Sequence, residues 1–335
     1  MVDHLLGIQG LSKSEIYRYL DTAHSFVEVS ERDIKKVPTL RGKTIVNIFF
    51  EPSTRTLASF DIAGKRLSAD TINVSIGTSS VKKGETLLDT VRTLESMKPD
   101  VLVMRHSESG APHFAARCLA NTSVVNAGDG QHEHPTQALL DLLTMRQHFK
   151  GRGIEGLKIG YVGDARHSRV ARSSVWAHLA LGNEVRLIGP NTLVPEDFAR
   201  GTFGEGKVQV FDKLEPGLEG LDVVVALRMQ LERQEEHFVP NLDEYSREYC
   251  ISERVLSKVA PNSIVIHPGP MNRGTEITSD VADGPRSLIR QQVTNGVAVR
   301  MAVLYLLART VESIEEVAHG SVSYTHLTLP TILLV

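Results

Sequence analysis

The chain has 335 residues, 41% hydrophobic and 23% charged, with a formal net charge of −3 and a pI near 6.5. This composition belongs to an ordinary globular protein and excludes a disordered or fibrous one, and the lack of a basic surplus argues against a nucleic-acid or anionic-membrane partner. The length suits two domains better than one core, which makes a cleft between them the default place for chemistry.

The N-terminus has no basic segment followed by an apolar run, and no stretch approaches the ~20 apolar residues of a membrane span, so a cytoplasmic location is expected. Ser12 and Glu15 form a capping box ahead of Ile16, Leu20, Ala23 and Val27 at helical spacing, which predicts a helix over Ser12–Val29. The β-branched runs Thr44–Phe50, Asp100–Met104 and Ser123–Asn126 alternate with helical patterns and read as buried parallel strands. An amphipathic stretch from Pro135 to Phe149 precedes the glycine-rich break Gly151–Gly156, where a domain boundary is expected near residue 150. A second strand series follows at Leu157–Val162, Glu184–Ile188, Lys207–Phe211, Val223–Ala226 and Ser263–His267. The pattern predicts an α/β protein of two doubly wound parallel-sheet domains with the active site in the cleft between them.

From about Ser287 to Ala308, apolar residues recur at helical spacing and predict a long closing helix, ending near residue 312, that returns to the first domain. Residues 321–335 fit no element and read as a non-native or disordered tail. Cys118 and Cys250 lie far apart without metal-ligand spacing and are expected to be buried small hydrophobes, with no structural zinc and no disulfide.

Chemistry gathers where strands end. After the first strand, Ser53-Thr54-Arg55-Thr56 sets three hydroxyls and a guanidinium at a helix N-terminus, where unpaired amides and the helix dipole favour an anion such as phosphate. The plainer alternative is a Ser/Thr N-cap beside a solvated arginine. Arg105 and His134-Pro135-Thr136-Gln137 follow further strands and should reach the same sheet edge. In the second half, the segments Val162–Arg169 and Ala226–Gln230 each deliver an arginine to a sheet edge, Arg169 and Arg228, and two cations suit a substrate with two carboxylates. The plainer reading of either is a surface arginine in a salt bridge.

In order and spacing, the Ser53–Thr56 turn, His134–Gln137 and His267-Pro268-Gly269-Pro270 closely resemble the aspartate and ornithine carbamoyltransferase family, over about residues 5 to 312. The resemblance implies carbamoyl phosphate bound by Ser53, Thr54, Arg55, Thr56, Arg105, His134, Gln137, Pro268 and Gly269, with Arg55, Thr56, Lys83, Arg105 and His134 catalytic. It implies L-aspartate bound by Ser79, Lys83, Arg169, Arg228 and Gln230, the first two reaching into a neighbouring subunit of a homotrimer. No metal or cofactor is implied. The product would be N-carbamoyl-L-aspartate, in pyrimidine biosynthesis, and some members of the family associate with regulatory or dihydroorotase-like chains. By residue type alone, the polar loop Thr78–Glu85 that holds Ser79 and Lys83 reads as a solvated connection.

The Asp-x-x-x-Ser-Met-Gly and His-Cys-Leu-Pro segments of ornithine enzymes are absent, which favours aspartate over ornithine as acceptor. Leu57 departs from the arginine usual after the phosphate turn. Two rival readings are a dinucleotide-binding oxidoreductase, for which Val162-Gly163-Asp164 supplies one glycine of the fingerprint, and a non-catalytic assembly subunit of the same fold, which would have lost ligands.

Overall fold

A computed structural model of the chain describes residues 3–75, 84–230 and 241–309. Its first helix, α1 (Lys13–Glu31), starts at the capping box, with Glu15 N donating to Ser12 Oγ and Ser12 N donating to Glu15 Oε2 at 2.8 Å. The predicted apolar stripe is its buried face, through Ile16, Leu20 and Ala23. Strands and helices then alternate as β1 (Thr44–Phe49), α2 (Thr54–Arg66), β2 (Asp70–Ser75), α3 (Leu87–Glu95), β3 (Val101–His106), α4 (Ala111–Cys118), β4 (Ser123–Asp129) and α5 (Pro135–His148). The second half runs β5 (Lys158–Val162), α6 (Arg169–Ala180), β6 (Glu184–Ile188), β7 (Val208–Phe211), α7 (Leu214–Leu218), β8 (Val223–Ala226), α8 (Leu242–Tyr249), α9 (Glu253–Val259), β9 (Ile264–Ile266), α10 (Ser279–Ala282) and α11 (Ile289–Arg309).

The strands form two parallel sheets, ordered β2-β1-β3-β4 and β7-β6-β5-β8-β9. Strands β4 and β8 are buried along their whole length, as parallel strands with both faces covered must be. In each sheet the order reverses once, between β1 and β3 and between β5 and β8. The loops leaving the carboxyl ends of strands at such a reversal diverge and open a crevice, the usual ligand site of open α/β sheets. Helix α11 packs against α1, α2 and α5.

Four expectations need correction. Strand β2 was not anticipated: Asp70-Thr71-Ile72-Asn73-Val74-Ser75 is two-thirds polar because it is an edge strand paired only with β1, and Ile72 is exposed. Helix α5 is not amphipathic; every residue from Pro135 to Met145 is buried, because α1, α6 and α11 all pack on it. Cys118 and Cys250 are free but only partly buried, and burial pushes the Cys250 thiol up to about 11. Arg105, expected just after a strand, lies within β3, which ends at His106. The closing helix is described only to Arg309, and residues 321–335 lie outside the described residues.

One buried group gives the fold a pH dependence. His178 on α6 is enclosed beside Asn183 Nδ2, 2.9 Å from its Nδ1, and burial lowers its pKa to about 3. Folded His178 stays neutral down to that value, whereas in the unfolded chain it takes up a proton below about 6.5. The unfolded state therefore binds more protons in this window, and stability falls as pH falls, by up to ~1.4 kcal/mol per pH unit from this residue alone. Urea denaturation from pH 7 to pH 4 should show a shallower loss in His178→Gln than in wild type; parallel curves would dismiss His178 as a cause.

Candidate active site

The site is a cavity of about 1250 Å³ between the two sheets. Its walls come from the loops and helix starts that follow β1, β3, β4, β5, β8 and β9, joined by α11. The first wall is the start of α2. Ser53 occupies the N-cap position but its hydroxyl makes no capping bond, so the plain N-cap reading does not hold and the first-turn amides remain open to a ligand. Ser53, Thr54, Arg55 and Thr56 all line the cavity. Leu57 starts the helical ladder instead, its N–H donating to Ser53 O at 3.0 Å.

Charge in the cavity is lopsided, with Arg55, Arg105, Arg169, Arg228 and Arg300 in its lining against Glu51 and Glu108. Burial, and secondarily the guanidinium of Arg228, lower the pKa of Arg55. Two cations from opposite sheets thus face each other, and an anion between them would replace repulsion with attraction. Arg55 lies over Gly269, whose φ of +65° suits glycine and where an added Cβ would run into Arg55 Nη1. Glycine at 269 therefore lets the Pro268–Gly269 turn lie against Arg55 in a backbone conformation that other residues rarely adopt.

The sheets are clasped by Glu51. Its Oε1 accepts from Arg105 Nη2 at 2.5 Å on one side and from Arg169 Nη2 on the other. Arg105 also donates to Ala127 O at 3.1 Å. Arg169 is 3% exposed, so the plainer reading of it as a surface arginine was half right: it is ion-paired, but within the cleft. Sequence reasoning missed Glu51, although a carboxylate directly before the phosphate turn was a visible signal. It also missed Arg300, a buried cation midway along α11, which lies over the Phe60 ring and whose pKa burial lowers to about 10.

The remaining expected residues that the structure describes meet in the same cavity. His134 caps α5 at 6% exposure with its N–H donating to Ser173 Oγ at 2.7 Å, and Gln137 follows one turn on. Arg228 and Gln230 follow β8, where Gln230 N donates to Asp164 Oδ2 at 3.4 Å. Ser79 and Lys83 lie outside the described residues. Gly163, the single glycine of a dinucleotide fingerprint, instead lets Leu227 O and the Tyr245 hydroxyl come to 2.9 Å of where a Cβ would stand, so packing explains it. Among the described residues one cluster has metal-ligand chemistry, His113, Asp129 and His132. Asp129 there accepts from Gly110 N, Asn126 Nδ2, Glu133 N and His132 Nδ1, which makes it a loop clamp outside the cavity lining.

Comparison with known proteins places this geometry. The family models for the carbamoyl-P binding domain and the Asp/Orn binding domain of aspartate/ornithine carbamoyltransferase match residues 3–147 and 155–307. The chain belongs to the aspartate/ornithine carbamoyltransferase family. Among the carbamoyltransferases it is 59% identical over 306 residues to the aspartate carbamoyltransferase catalytic subunit of Syntrophotalea carbinolica, covering 91% of this chain and 95% of that one. The catalytic subunit of Magnetococcus marinus is 54% identical, covering 91% and 92%. Of solved structures, aspartate transcarbamoylase from Trypanosoma cruzi with carbamoyl phosphate and aspartate superimposes at a TM-score of 0.79, with 30% identity over 90% of this chain and 96% of that one. An ornithine carbamoyltransferase from Gloeobacter violaceus reaches 0.72 with 29% identity over 91% and 98%, so the shared carbamoyltransferase fold alone does not choose the acceptor.

Proposed function

We propose that this chain transfers the carbamoyl group of carbamoyl phosphate to the amine of L-aspartate, giving N-carbamoyl-L-aspartate and phosphate. The observation that carries the reading is the arginine-rich cavity at the two sheet reversals, with a helix N-terminus on one wall and Arg169 and Arg228 on the other. Ser53, Thr54, Arg55 and Thr56 hold the phosphate. Thr56, Arg105 and His134 surround the carbamoyl oxygen, and Arg169, Arg228 and Gln230 hold the two carboxylates of aspartate. As the amine attacks, the N–C bond forms, the bond from carbon to the phosphate oxygen breaks, negative charge grows on the carbonyl oxygen and on the leaving phosphate, and the proton shed by the amine leaves with the phosphate. Donors already aimed at both positions lower the barrier without reorganising.

In this reading residues 1–150 with α11 form the carbamoyl-phosphate domain and 151–286 the aspartate domain. The protein is cytoplasmic and serves pyrimidine biosynthesis; no helix among the described residues is long and apolar enough to cross a membrane. An acceptor competition tests the function: purified protein given carbamoyl phosphate with equal L-aspartate and L-ornithine should form carbamoyl aspartate, and Arg228→Ala should lose mainly aspartate affinity. Citrulline as the main product would sink the reading.

The minimal unit is a homotrimer in which Ser79 and Lys83 complete a neighbour's site. Arg55→Ala and Lys83→Ala proteins, each nearly inactive, should when mixed and reassembled recover about a quarter of wild-type activity, the share of sites in a random cyclic trimer that receive both intact residues. Hybrid trimers proven by mass spectrometry but without activity would place both residues in one chain.

A further inference from the structure

Gln137, Asp141 and Gln292 form a buried chain between two walls of the cavity. Asp141 lies one turn beyond Gln137 on α5 and has no solvent exposure. Its Oδ1 accepts from Gln137 Nε2 at 2.9 Å and from Gln292 Nε2 at 2.6 Å. The other end of Gln292 is also engaged, with Oε1 accepting from the main-chain N–H of His267 at 2.9 Å. His267 in turn heads the Pro268–Gly269 turn in the cavity wall, and its Nδ1 accepts from Gly269 N at 2.7 Å.

These bonds are directional. A glutamine side chain has a donor NH₂ at one end and an acceptor oxygen at the other, and only the partners decide which points where. Burial holds the Asp141 carboxyl up at about 7, and Oδ1 remains an acceptor whether the group is ionised or carries a proton on Oδ2. Both glutamines therefore turn their NH₂ groups to Asp141. Gln137, which lines the cavity, is left with Oε1 as the end it offers a ligand. A carboxyl enclosed with two neutral amide donors is costly compared with an apolar residue of similar size. Its presence calls for something leucine could not do.

We propose that Asp141 and Gln292 are positioning residues that fix Gln137 as an acceptor for the carbamoyl NH₂ and tie it to the His267–Gly269 turn. The inference rests on the carbamoyl transfer reading and adds to it how the amide end of the donor is recognised. A donor of the same shape with CH₃ in place of NH₂, such as acetyl phosphate, gains nothing from that acceptor.

The test measures dissociation constants of carbamoyl phosphate, acetyl phosphate and inorganic phosphate for the full chain and its variants. Asp141→Leu should weaken carbamoyl phosphate about tenfold, the cost of one hydrogen bond left unmade, while leaving acetyl phosphate and inorganic phosphate within about twofold. Asp141→Asn, whose Oδ1 can accept the same two bonds, should keep the wild-type preference. Gln292→Met removes the tether from the other side and should lower the preference several-fold, so it carries the test should Asp141→Leu fail to fold. Carbamoyl and acetyl phosphate weakening together would mean a merely structural role and overturn the proposal. So would an unchanged preference in a folded Asp141→Leu or Gln292→Met protein. A wild-type chain that binds no carbamoyl phosphate would instead overturn the carbamoyl transfer reading, which these variants do not address.

Discussion

Arg55→Ala is expected to lower turnover by about 10²–10³-fold, the usual loss for one preorganised electrostatic donor, with the melting temperature nearly unchanged. The two halves of this expectation have one origin. Arg55 faces Arg228 across the cavity, and its pKa is lowered by burial and by that like charge, so removing it relieves repulsion. On the carbamoyl transfer reading, the same guanidinium, which lies over the Gly269 turn at the start of α2, stands where the leaving phosphate would take up charge. Steady-state kinetics at saturating carbamoyl phosphate, run beside thermal melting, measure both halves. Turnover within a few-fold of wild type would remove Arg55 from phosphate stabilisation, and a large drop in melting temperature would assign it to the fold.

Glu51→Ala should show the opposite balance, losing stability and activity together. Glu51 pairs with Arg105 and Arg169, whose side chains are only 11% and 4% exposed, and without it both cations lose the carboxylate they share. Breaking a buried ion pair from one side costs about 3–5 kcal/mol, and the lower end applies because Glu51 itself is 20% exposed. At about 2–4 °C per kcal/mol, the value for domains of this size, the melting temperature should fall by roughly 6–12 °C. Turnover should fall at least tenfold, because Arg105 and Arg169 lose the group that aligns them. Saturating anionic ligand should restore part of the lost stability by supplying the missing negative charge, which differential scanning calorimetry with and without carbamoyl phosphate would register. Unchanged melting in the variant would make the clasp an incidental contact.

The parts of this site legible in the sequence are those in which local pattern and chemistry coincide. Ser53–Thr56, Arg105, His134–Gln137, Arg169 and Arg228 stand at strand ends, and a parallel sheet brings its carboxyl ends to one edge whatever the strand order. Their convergence follows from counting strands. The clasp and the Asp141 chain are different in kind: Glu51 and Arg169 are 118 residues apart, and Asp141 and Gln292 are 151 apart, so no spacing announces them. Strand β2 escaped because alternation at a polar sheet edge resembles a loop, whereas β4 and β8 show continuous apolar burial. Helix α5 misled in the reverse sense. Gln137, Asp141 and Thr144 look like a solvent face, yet they are buried, with Gln137 bonded to Asp141 and both Asp141 and Thr144 bonded to α11.

The chain passes between the two sheets twice, between α5 and β5 and again between α10 and α11. On the first-sheet side the passages lie together, since Gln147 Oε1 accepts from Gln291 Nε2 at 2.6 Å and from Asn295 Nδ2 at 2.9 Å. On the other side, Arg152 is held to Asp222 at the foot of β8, and Leu288 N donates to Val265 O of β9 at 2.9 Å. Two anchored passages side by side act as a door with two pins. One covalent link would let the halves twist freely, whereas two anchored passages resist that twist.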